Sequence, residues 1–204
     1  MILRTIRKEG GVPPCCGKRA AAKPFFQISE ASPPGAKGLI MRETMEKILS
    51  REALKKEIDR LRREGRKIAF TNGCFDILHV GHVRYLREAA KTGDVLILAL
   101  NSDASVRAIK GDRRPLVPEA ERADVAAALE CIDYVIIFNE LTPLELIEDL
   151  RPDVIVKGGD WVEENVVGRD AVKKWGGAVV IVPQVPGVST TNIVDKIISV
   201  YGKI

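Results

Sequence analysis

The sequence of 204 residues has no long hydrophobic run, and only 5% of its residues are aromatic. No stretch approaches the ~18 consecutive apolar residues that a membrane-spanning helix requires, so we expect no membrane partner. Histidine is scarcer still, with two residues, and cysteine occurs four times. The cysteines lack the spacing of a zinc site or a disulfide framework. We therefore predict no protein metal centre and a reducing, cytoplasmic location.

The positive charge of the chain is confined to its start. The whole sequence carries a formal net charge of +4. Residues 1–40 hold seven Lys or Arg against two Asp or Glu, whereas the rest holds 25 against 26. The part with folding signals therefore lacks the basic excess typical of nucleic-acid binding, and we expect no nucleic acid as a partner.

Residues 1–40 lack a regular hydrophobic period and contain two Pro-Pro pairs. This composition predicts a disordered extension, with the folded domain at residues 41–204. The periodic pattern begins near Met41 and Met45, so we interpret either as an alternative start of translation. Removing residues 1–40 should then leave activity unchanged.

Short apolar segments alternate with helical patterns over the rest of the chain. Apolar residues at three- and four-residue steps predict an N-terminal helix over residues 43–64, which Ser50 either caps or breaks. Strands are predicted at residues 68–71, 95–100, 134–138, 154–156 and 178–182. Helices are predicted after residue 79 and at residues 104–109, 119–130, 143–150 and 191–200. This alternation indicates an α/β fold with a Rossmann-like, doubly wound, five-stranded parallel sheet and an N-terminal helix.

Both histidines lie in one segment, TNGCFDILHVGH at residues 71–82, where the first predicted strand becomes a helix. His79 and His82 are three residues apart, so on a helix they share one face. Gly81 between them lets a bulky group approach the backbone. A helix start also offers free N–H groups and a positive dipole end. These features predict a phosphate-binding turn rather than two ordinary surface histidines.

Four further polar segments follow predicted strands or the helices after them. Parallel strands end at the same edge of a sheet, so these segments should lie beside the histidines. Each alone also fits a solvated loop, a turn or a helix cap. The segments are NSD at 101–103, KGDRRP at 110–115 with Arg122 nearby, KGGDW at 157–161 and STTN at 189–192.

The combination favours nucleotidyl transfer, which depends on positioning and on stabilising negative charge at phosphorus. The two histidines would donate to the α-phosphate and the departing pyrophosphate, and Lys110, Arg114 and Arg122 would bind phosphates. Mg²⁺ would bridge phosphates with few protein ligands. Asp76 is interpreted either as a binding residue or as a helix cap. No protein nucleophile is needed, so Cys74 is interpreted as a loop residue.

The pattern G-x-F-D-x-x-H-x-G-H resembles the signature of the nucleotidyltransferase superfamily. With NSDASVRAIKGDRRP, VKGGDW and STTNIV, the chain is similar to the adenylyltransferase domain of ADP-heptose synthases over roughly residues 44–198. The resemblance implies that ATP reacts with D-glycero-β-D-manno-heptose 1-phosphate, with Mg²⁺, in a homo-oligomer that is commonly a dimer. Many relatives carry a fused sugar kinase domain, which we expect here as a separate chain.

The motifs and the resemblance together predict three sets of site residues. The catalytic residues are His79, His82 and Lys110. The nucleotide-binding residues are Thr71, Gly73, Phe75, Asp76, Gly81, Lys157, Gly159, Asp160, Ser189, Thr190 and Thr191. The substrate-binding residues are Asn101, Asp103, Arg114 and Arg122.

Two other functions stay open. A cytidylyltransferase acting on a polyol or alkanolamine phosphate would use the same histidines. Such enzymes place an arginine shortly before Ser-Thr-Thr, and this sequence has none there. A nucleotide-binding regulator without activity is also compatible with the fold, although the paired histidines disfavour it. An aminoacyl-tRNA synthetase is not favoured, because the chain has no K-M-S-K-S segment.

Overall fold

The computed structural model describes residues 44–159, 161–183 and 187–202. The predicted extension at residues 1–40 and the alternative start at Met41 lie outside the described residues, so both stay predictions. Within the described ranges, no helix combines the length and the apolar character that crossing a lipid bilayer requires.

Five parallel strands form one sheet in the order β3-β2-β1-β4-β5. The strands are β1 (Ile68–Gly73), β2 (Val95–Asn101), β3 (Tyr134–Phe138), β4 (Val154–Gly158) and β5 (Ala178–Val182). The chain proceeds outward from β1 on one side and from β4 on the other. The topological switch point therefore lies between β1 and β4, where such sheets bind ligands beyond their carboxyl ends. The predicted α/β class and five-stranded parallel sheet are confirmed.

Helices cover both faces of the sheet. They are α1 (Thr44–Lys47), α2 (Arg51–Arg63), α3 (Val80–Ala90), α4 (Asp103–Lys110), α5 (Glu119–Ala127), α6 (Leu144–Leu150), α7 (Arg169–Lys174) and α8 (Thr190–Tyr201), with a 3₁₀ turn at Glu163–Asn165. Apolar residues of α2, α6 and α7 pack on one face, and those of α3 and α5 pack on the other. The short α7 was not predicted.

The sequence left open whether Ser50 caps or breaks the predicted N-terminal helix, and the structure shows both a break before Ser50 and a cap at it. The helix is divided into α1 and α2, and Ile48 between them forms an isolated parallel bridge with Val135 of β3. The N–H of Leu49 donates to the carbonyl of Val135 at 2.9 Å. Ser50 then starts α2, because its hydroxyl accepts a hydrogen bond from the N–H of Ala53. Pairing with the edge strand overrides the helical pattern here.

Three strands continue further at their carboxyl ends than the sequence pattern predicts. β1 extends to Gly73, β2 to Asn101 and β4 to Gly158. Residues that were interpreted as loops, including Lys157, are therefore held in the hydrogen-bonded sheet. Side chains at these strand ends are placed by the sheet itself, which is more rigid than a loop.

Candidate active site

A cavity of about 710 Å³ opens at the carboxyl edge of the sheet. The ends of β1, β2 and β4, the start of α3, the end of α4 and the start of α8 all contribute to its wall. The switch point is therefore part of the cavity. The predicted site residues in its lining are Gly73, Phe75, Asp76, His79, Gly81, His82, Asn101, Lys110, Arg114, Lys157, Ser189, Thr190 and Thr191.

The two histidines form a stacked pair at the start of α3. Their ring centroids lie 3.8 Å apart with an interplanar angle of 18°. His79 is the N-cap of α3, and its Nδ1 accepts a hydrogen bond from the N–H of His82 at 3.4 Å. The alternative interpretation of Asp76 as this cap is wrong. Because Nδ1 of His79 accepts, its proton is on Nε2, which leaves a donor for a ligand.

Gly81 makes the stacked arrangement possible. A Cβ at this position would lie 2.9 Å from Cε1 and 3.0 Å from Nδ1 of His79. The bulky group that the glycine admits is thus the imidazole of His79 itself. Gly73 has the same relation to Phe75, because a Cβ there would lie 2.9 Å from Cε2 of that ring.

The surroundings of the histidines favour their neutral forms in the free protein. Burial, and then the neighbouring His79, lowers the pKa of His82 to about 4. Burial also lowers the pKa of His79. Nδ1 of His82 is buried and has no hydrogen-bond partner among the described residues. A polyanionic ligand would reverse this balance, because negative charge nearby favours the imidazolium.

The segment between β1 and α3, residues 74–79, is here called the histidine loop. Phe75 and Ile77 in this loop have positive φ angles of 46° and 55°. Non-glycine residues in this region cost about 1–3 kcal/mol each, and they persist only where surrounding contacts hold them. The ring of Phe75 lies 4.9 Å from that of His82. The strained loop therefore sets the packing of the His82 ring.

Asp76 anchors the histidine loop to the α4–α5 loop (residues 111–118). Its carboxylate accepts from Nε of Arg114 at 2.6 Å and from the N–H groups of Leu116 and Val117 at 3.0 Å. Burial raises the pKa of Asp76, but these three donors outweigh it and hold the pKa below its ordinary value. The carboxylate thus stays charged and fully engaged by protein donors.

Two cations line the cavity on the side of the α4–α5 loop. Lys110 ends α4 and is exposed. Arg114 uses Nε for Asp76, and neither of its terminal nitrogens donates to any residue in the described part of the chain. A planar guanidinium with two free amino groups is suited to bidentate contact with phosphate.

The start of α8 supplies N–H groups to the opposite wall. Ser189 is the N-cap, and its hydroxyl accepts from the N–H of Asn192 at 3.1 Å. Thr190 donates from Oγ1 to the carbonyl of Asp76 at 2.9 Å, which ties α8 to the histidine loop. The remaining N–H groups of the first turn lie at the positive end of the helix dipole, beside the cavity.

Lys157 is a buried cation at the switch point. Its Nζ donates to Oδ1 of Asn72 on the adjacent strand and lies 5.6 Å from the ring centroid of Trp161. Burial lowers the pKa of Lys157 to about 8. Its charge is therefore conditional on the surroundings, and a negatively charged ligand in the cavity would stabilise it.

Four predicted site residues do not line the cavity: Thr71, Asp103, Arg122 and Gly159. Thr71 is buried and its hydroxyl bonds to that of Tyr85, which in turn donates to the carbonyl of Val156. Asp103 pairs with the buried Arg122. Gly159 is exposed. Asp160 lies outside the described residues.

Sequence reasoning missed one wall of the cavity. Leu141, Thr142 and Pro143 follow β3 and line it. Asn72 and Trp161 also line the cavity; they belong to predicted segments but were not named as site residues. The rule that pointed to the other segments would have found the first three, because β3 ends at the same edge. Cys74 also lines the cavity, but burial raises the pKa of its thiol, which disfavours a thiolate nucleophile.

The described residues contain no group of three or more His, Cys, Asp or Glu that could hold a metal ion. Mg²⁺ commonly keeps several waters and binds through substrate phosphates with one or two protein carboxylates. A magnesium ion in this cavity would therefore take most of its ligands from a bound triphosphate, which is compatible with the cationic walls.

Comparisons with known proteins identify the family to which the chain belongs. Residues 70–196 match the family described as Cytidylyltransferase-like. Two relatives with the name Bifunctional protein HldE are similar over most of this chain. The protein from Geobacter metallireducens is 55% identical over 176 residues, covering 86% of this chain and 36% of its own length. The protein from Syntrophotalea carbinolica is 56% identical over 155 residues, covering 76% of this chain and 32% of its own length. The chain thus spans about a third of the length of these relatives.

Two solved structures have related folds. The lipopolysaccharide core biosynthesis protein from Thermoplasma volcanium GSS1 is 29% identical with a TM-score of 0.50, covering 59% of this chain and 98% of its own. A pantoate-beta-alanine ligase from Francisella tularensis gives a TM-score of 0.51 at 13% identity, covering 77% of this chain and 79% of its own. The second likeness concerns the fold alone.

Proposed function

This chain belongs to the cytidylyltransferase-like family, and from that premise we propose that it is a nucleotidyltransferase that joins ATP and D-glycero-β-D-manno-heptose 1-phosphate. The products are ADP-heptose and pyrophosphate. The observation that carries the proposal is the single cavity in which stacked histidines, two cations and a helix N-terminus meet at the switch point. The choice of substrates rests on the resemblance to ADP-heptose synthases and on the HldE relatives.

The reaction is a direct transfer between phosphates. An oxygen of the sugar 1-phosphate attacks the α-phosphorus of ATP, and the bond from that phosphorus to the bridging oxygen of the β-phosphate breaks. Pyrophosphate leaves with the electron pair. Nε2–H of His79 and the imidazole of His82 stabilise the charge that develops on the α-phosphate and the leaving group. A magnesium ion, held mainly by the triphosphate itself, would supply further charge neutralisation.

The cavity offers separate places for the two substrates. We assign the nucleotide to the switch point, where Gly73, Lys157 and the start of α8 lie, since doubly wound sheets bind nucleotides there. The sugar phosphate then lies toward β2, where Asn101, Lys110 and Arg114 line the cavity. The histidine pair follows β1, the strand that lies between β2 and β4, and we therefore assign the reacting phosphates to the part of the cavity next to it.

The experiment is a turnover assay that crosses two nucleotides with two acceptors. Purified protein is incubated with ATP or CTP and with heptose 1-phosphate or glycerol 3-phosphate, and released pyrophosphate is measured. We expect turnover with ATP and heptose 1-phosphate. Exclusive use of CTP would contradict the substrate assignment and support a cytidylyltransferase acting on a polyol phosphate, which the family description favours as the second candidate.

Magnesium dependence, a homodimer, a sugar kinase acting before this step and a cytoplasmic location remain part of the proposal. Omission of Mg²⁺ from the assay tests the first, since triphosphate without the cation should not turn over. Sedimentation analysis tests the second. Absence of turnover with every substrate pair, together with tight ATP binding, would favour a regulator on the same fold.

A further inference from the structure

Arg122 was predicted to bind a substrate phosphate, but its guanidinium is enclosed by protein. The residue is 3% exposed and does not line the cavity. Four of its five N–H donors are used within the described part of the chain. Nε donates to the carbonyl of Val117 at 3.0 Å and Nη1 to that of Cys74 at 2.6 Å. Nη2 donates to the carbonyl of Asn101 at 2.9 Å and to Oδ1 of Asp103 at 2.8 Å.

These four contacts connect the histidine loop to three neighbouring segments: the end of β2, the start of α4 and the α4–α5 loop. Cys74 begins the histidine loop, Asn101 ends β2, Asp103 starts α4 and Val117 lies near the end of the α4–α5 loop. A buried guanidinium with several fixed acceptors holds its partners in one relative position, because each lost contact would leave a buried polar group unsatisfied.

The contacts reach the histidines by two routes. Through Cys74, Arg122 fixes the residue next to Phe75, whose ring packs on His82. Through Val117, it fixes a residue whose N–H donates to the Asp76 carboxylate. The histidine loop contains Phe75 and Ile77, each with a positive φ, so it depends on outside contacts to keep its shape.

We propose that Arg122 is a positioning residue that holds the histidine loop in its strained, catalytically competent shape, and that it does not bind substrate phosphate. Lys110 and Arg114 are then the cations that contact phosphate on this side of the cavity. The proposal rests on the proposed function for its kinetic consequences. Its structural consequence, the position of the histidine rings, can be measured without turnover.

The kinetic test compares three matched Arg→Lys variants of the full chain. Arg122→Lys should lower kcat about 10-fold, because small displacements of catalytic groups are costly, while the KM values change by less than about twofold. Arg114→Lys should instead raise the KM of a phosphate substrate, because it loses the bidentate guanidinium. Arg60→Lys on the surface of α2 is the control and should match the wild type.

The second test uses the scarcity of histidine. The untagged chain has only two histidines, so their imidazole NMR signals and titration midpoints report the site directly. Arg122→Lys should shift both signals, whereas Arg60→Lys should leave them unchanged. If wild-type protein fails to turn over any substrate pair, the proposed function is contradicted, and this measurement still decides the role of Arg122.

Two outcomes would overturn the proposal. Unshifted histidine signals with an unchanged kcat and a raised KM would make Arg122 a phosphate ligand. Unshifted signals with wild-type kinetics would remove it from the mechanism. If Arg122→Lys shows no cooperative urea transition, Asp103→Asn replaces it, because that change weakens one of the four contacts. It should lower kcat less, in the same direction, and wild-type signals and kcat in that variant would contradict the proposal.

Discussion

The two edges of the sheet use aspartate in opposite ways. At the amino edge, Asp94, Asp133 and Asp153 each accept a backbone N–H within one residue of the start of a strand, at distances of 2.7–2.8 Å. At the carboxyl edge, Asp76 accepts from an arginine and two N–H groups of a neighbouring loop. The first three aspartates satisfy backbone N–H groups near the starts of strands. Asp76 instead holds the strained histidine loop in place beside the cavity.

Glycine shows the same difference between the edges. A Cβ on Gly93, at the amino edge, would lie 2.9 Å from the backbone of Lys67 and Ala69. A Cβ on Gly81, at the carboxyl edge, would meet the imidazole of His79 at the same distance. A side chain at position 93 would therefore disturb strand packing, whereas a side chain at position 81 would displace the imidazole of His79. The amino edge thus supports stability and the carboxyl edge supports chemistry.

Among substitutions that distinguish the carboxyl edge from the amino edge, removal of either histidine should have the largest effect on kcat. His79→Ala or His82→Ala should lower kcat by about 100-fold or more, with smaller effects on KM, because the donors act mainly in the transition state. Steady-state kinetics and urea unfolding of each variant provide the measurement. A variant that keeps near wild-type turnover would exclude that histidine from the mechanism.

Gly81→Ala and Gly93→Ala form a matched pair of substitutions. Gly81→Ala should lower kcat about 10-fold, because His79 must move, while helix propensity favours alanine by about 1 kcal/mol and limits any loss of stability. Gly93→Ala should lower the free energy of unfolding, because backbone must shift, and leave the kcat of folded protein unchanged. Equal effects on kcat from both variants would refute the division between the edges.

Asp153→Ala tests the amino edge by itself. Removing the carboxylate leaves the N–H of Ile68 without its acceptor, which should lower the free energy of unfolding by about 1–3 kcal/mol. Urea unfolding at neutral pH measures the loss, and kcat at a temperature well below the transition should match the wild type. A large decrease in kcat without loss of stability would contradict this assignment.

The smallest predicted effect is a pH dependence of stability from His82. Its pKa is lowered to about 4 in the folded protein, against an ordinary value of about 6.5. Between these values the unfolded chain binds more protons, so stability falls as the pH decreases from about 6.5 to 4. Urea midpoints at several pH values should decrease less for His82→Gln than for the wild type. An equal decrease would show that His82 does not contribute.

Predictions from the sequence were correct where a local motif also had a defined position at the end of a strand. The family membership predicted from G-x-F-D-x-x-H-x-G-H is confirmed by the match over residues 70–196. All five strands were located, and most of the polar segments after them line one cavity. Apolar strands followed by glycine and polar residues are local signals, and the parallel arrangement then fixes the edge at which they meet.

The errors occurred where distant residues decide the outcome. The pattern over residues 43–64 is helical, but bonding of Leu49 to Val135 interrupts the helix. The guanidinium of Arg122 is a group that commonly binds phosphate, but here it donates to the carbonyls of Cys74, Asn101 and Val117. Neither partnership leaves a periodic signal in the sequence, because the partners are many residues apart.

Hydrophobic period and local backbone preference are properties of the sequence, and they were sufficient to predict the order of the five strands, the parallel sheet and two histidines at a helix start. Which cations face the cavity, what a side chain at position 81 would contact and how far burial lowers the pKa of His82 became known only from the folded structure. Those properties depend on burial and on contacts between elements that are distant in the chain, and only the folded protein brings them within a few ångströms of each other.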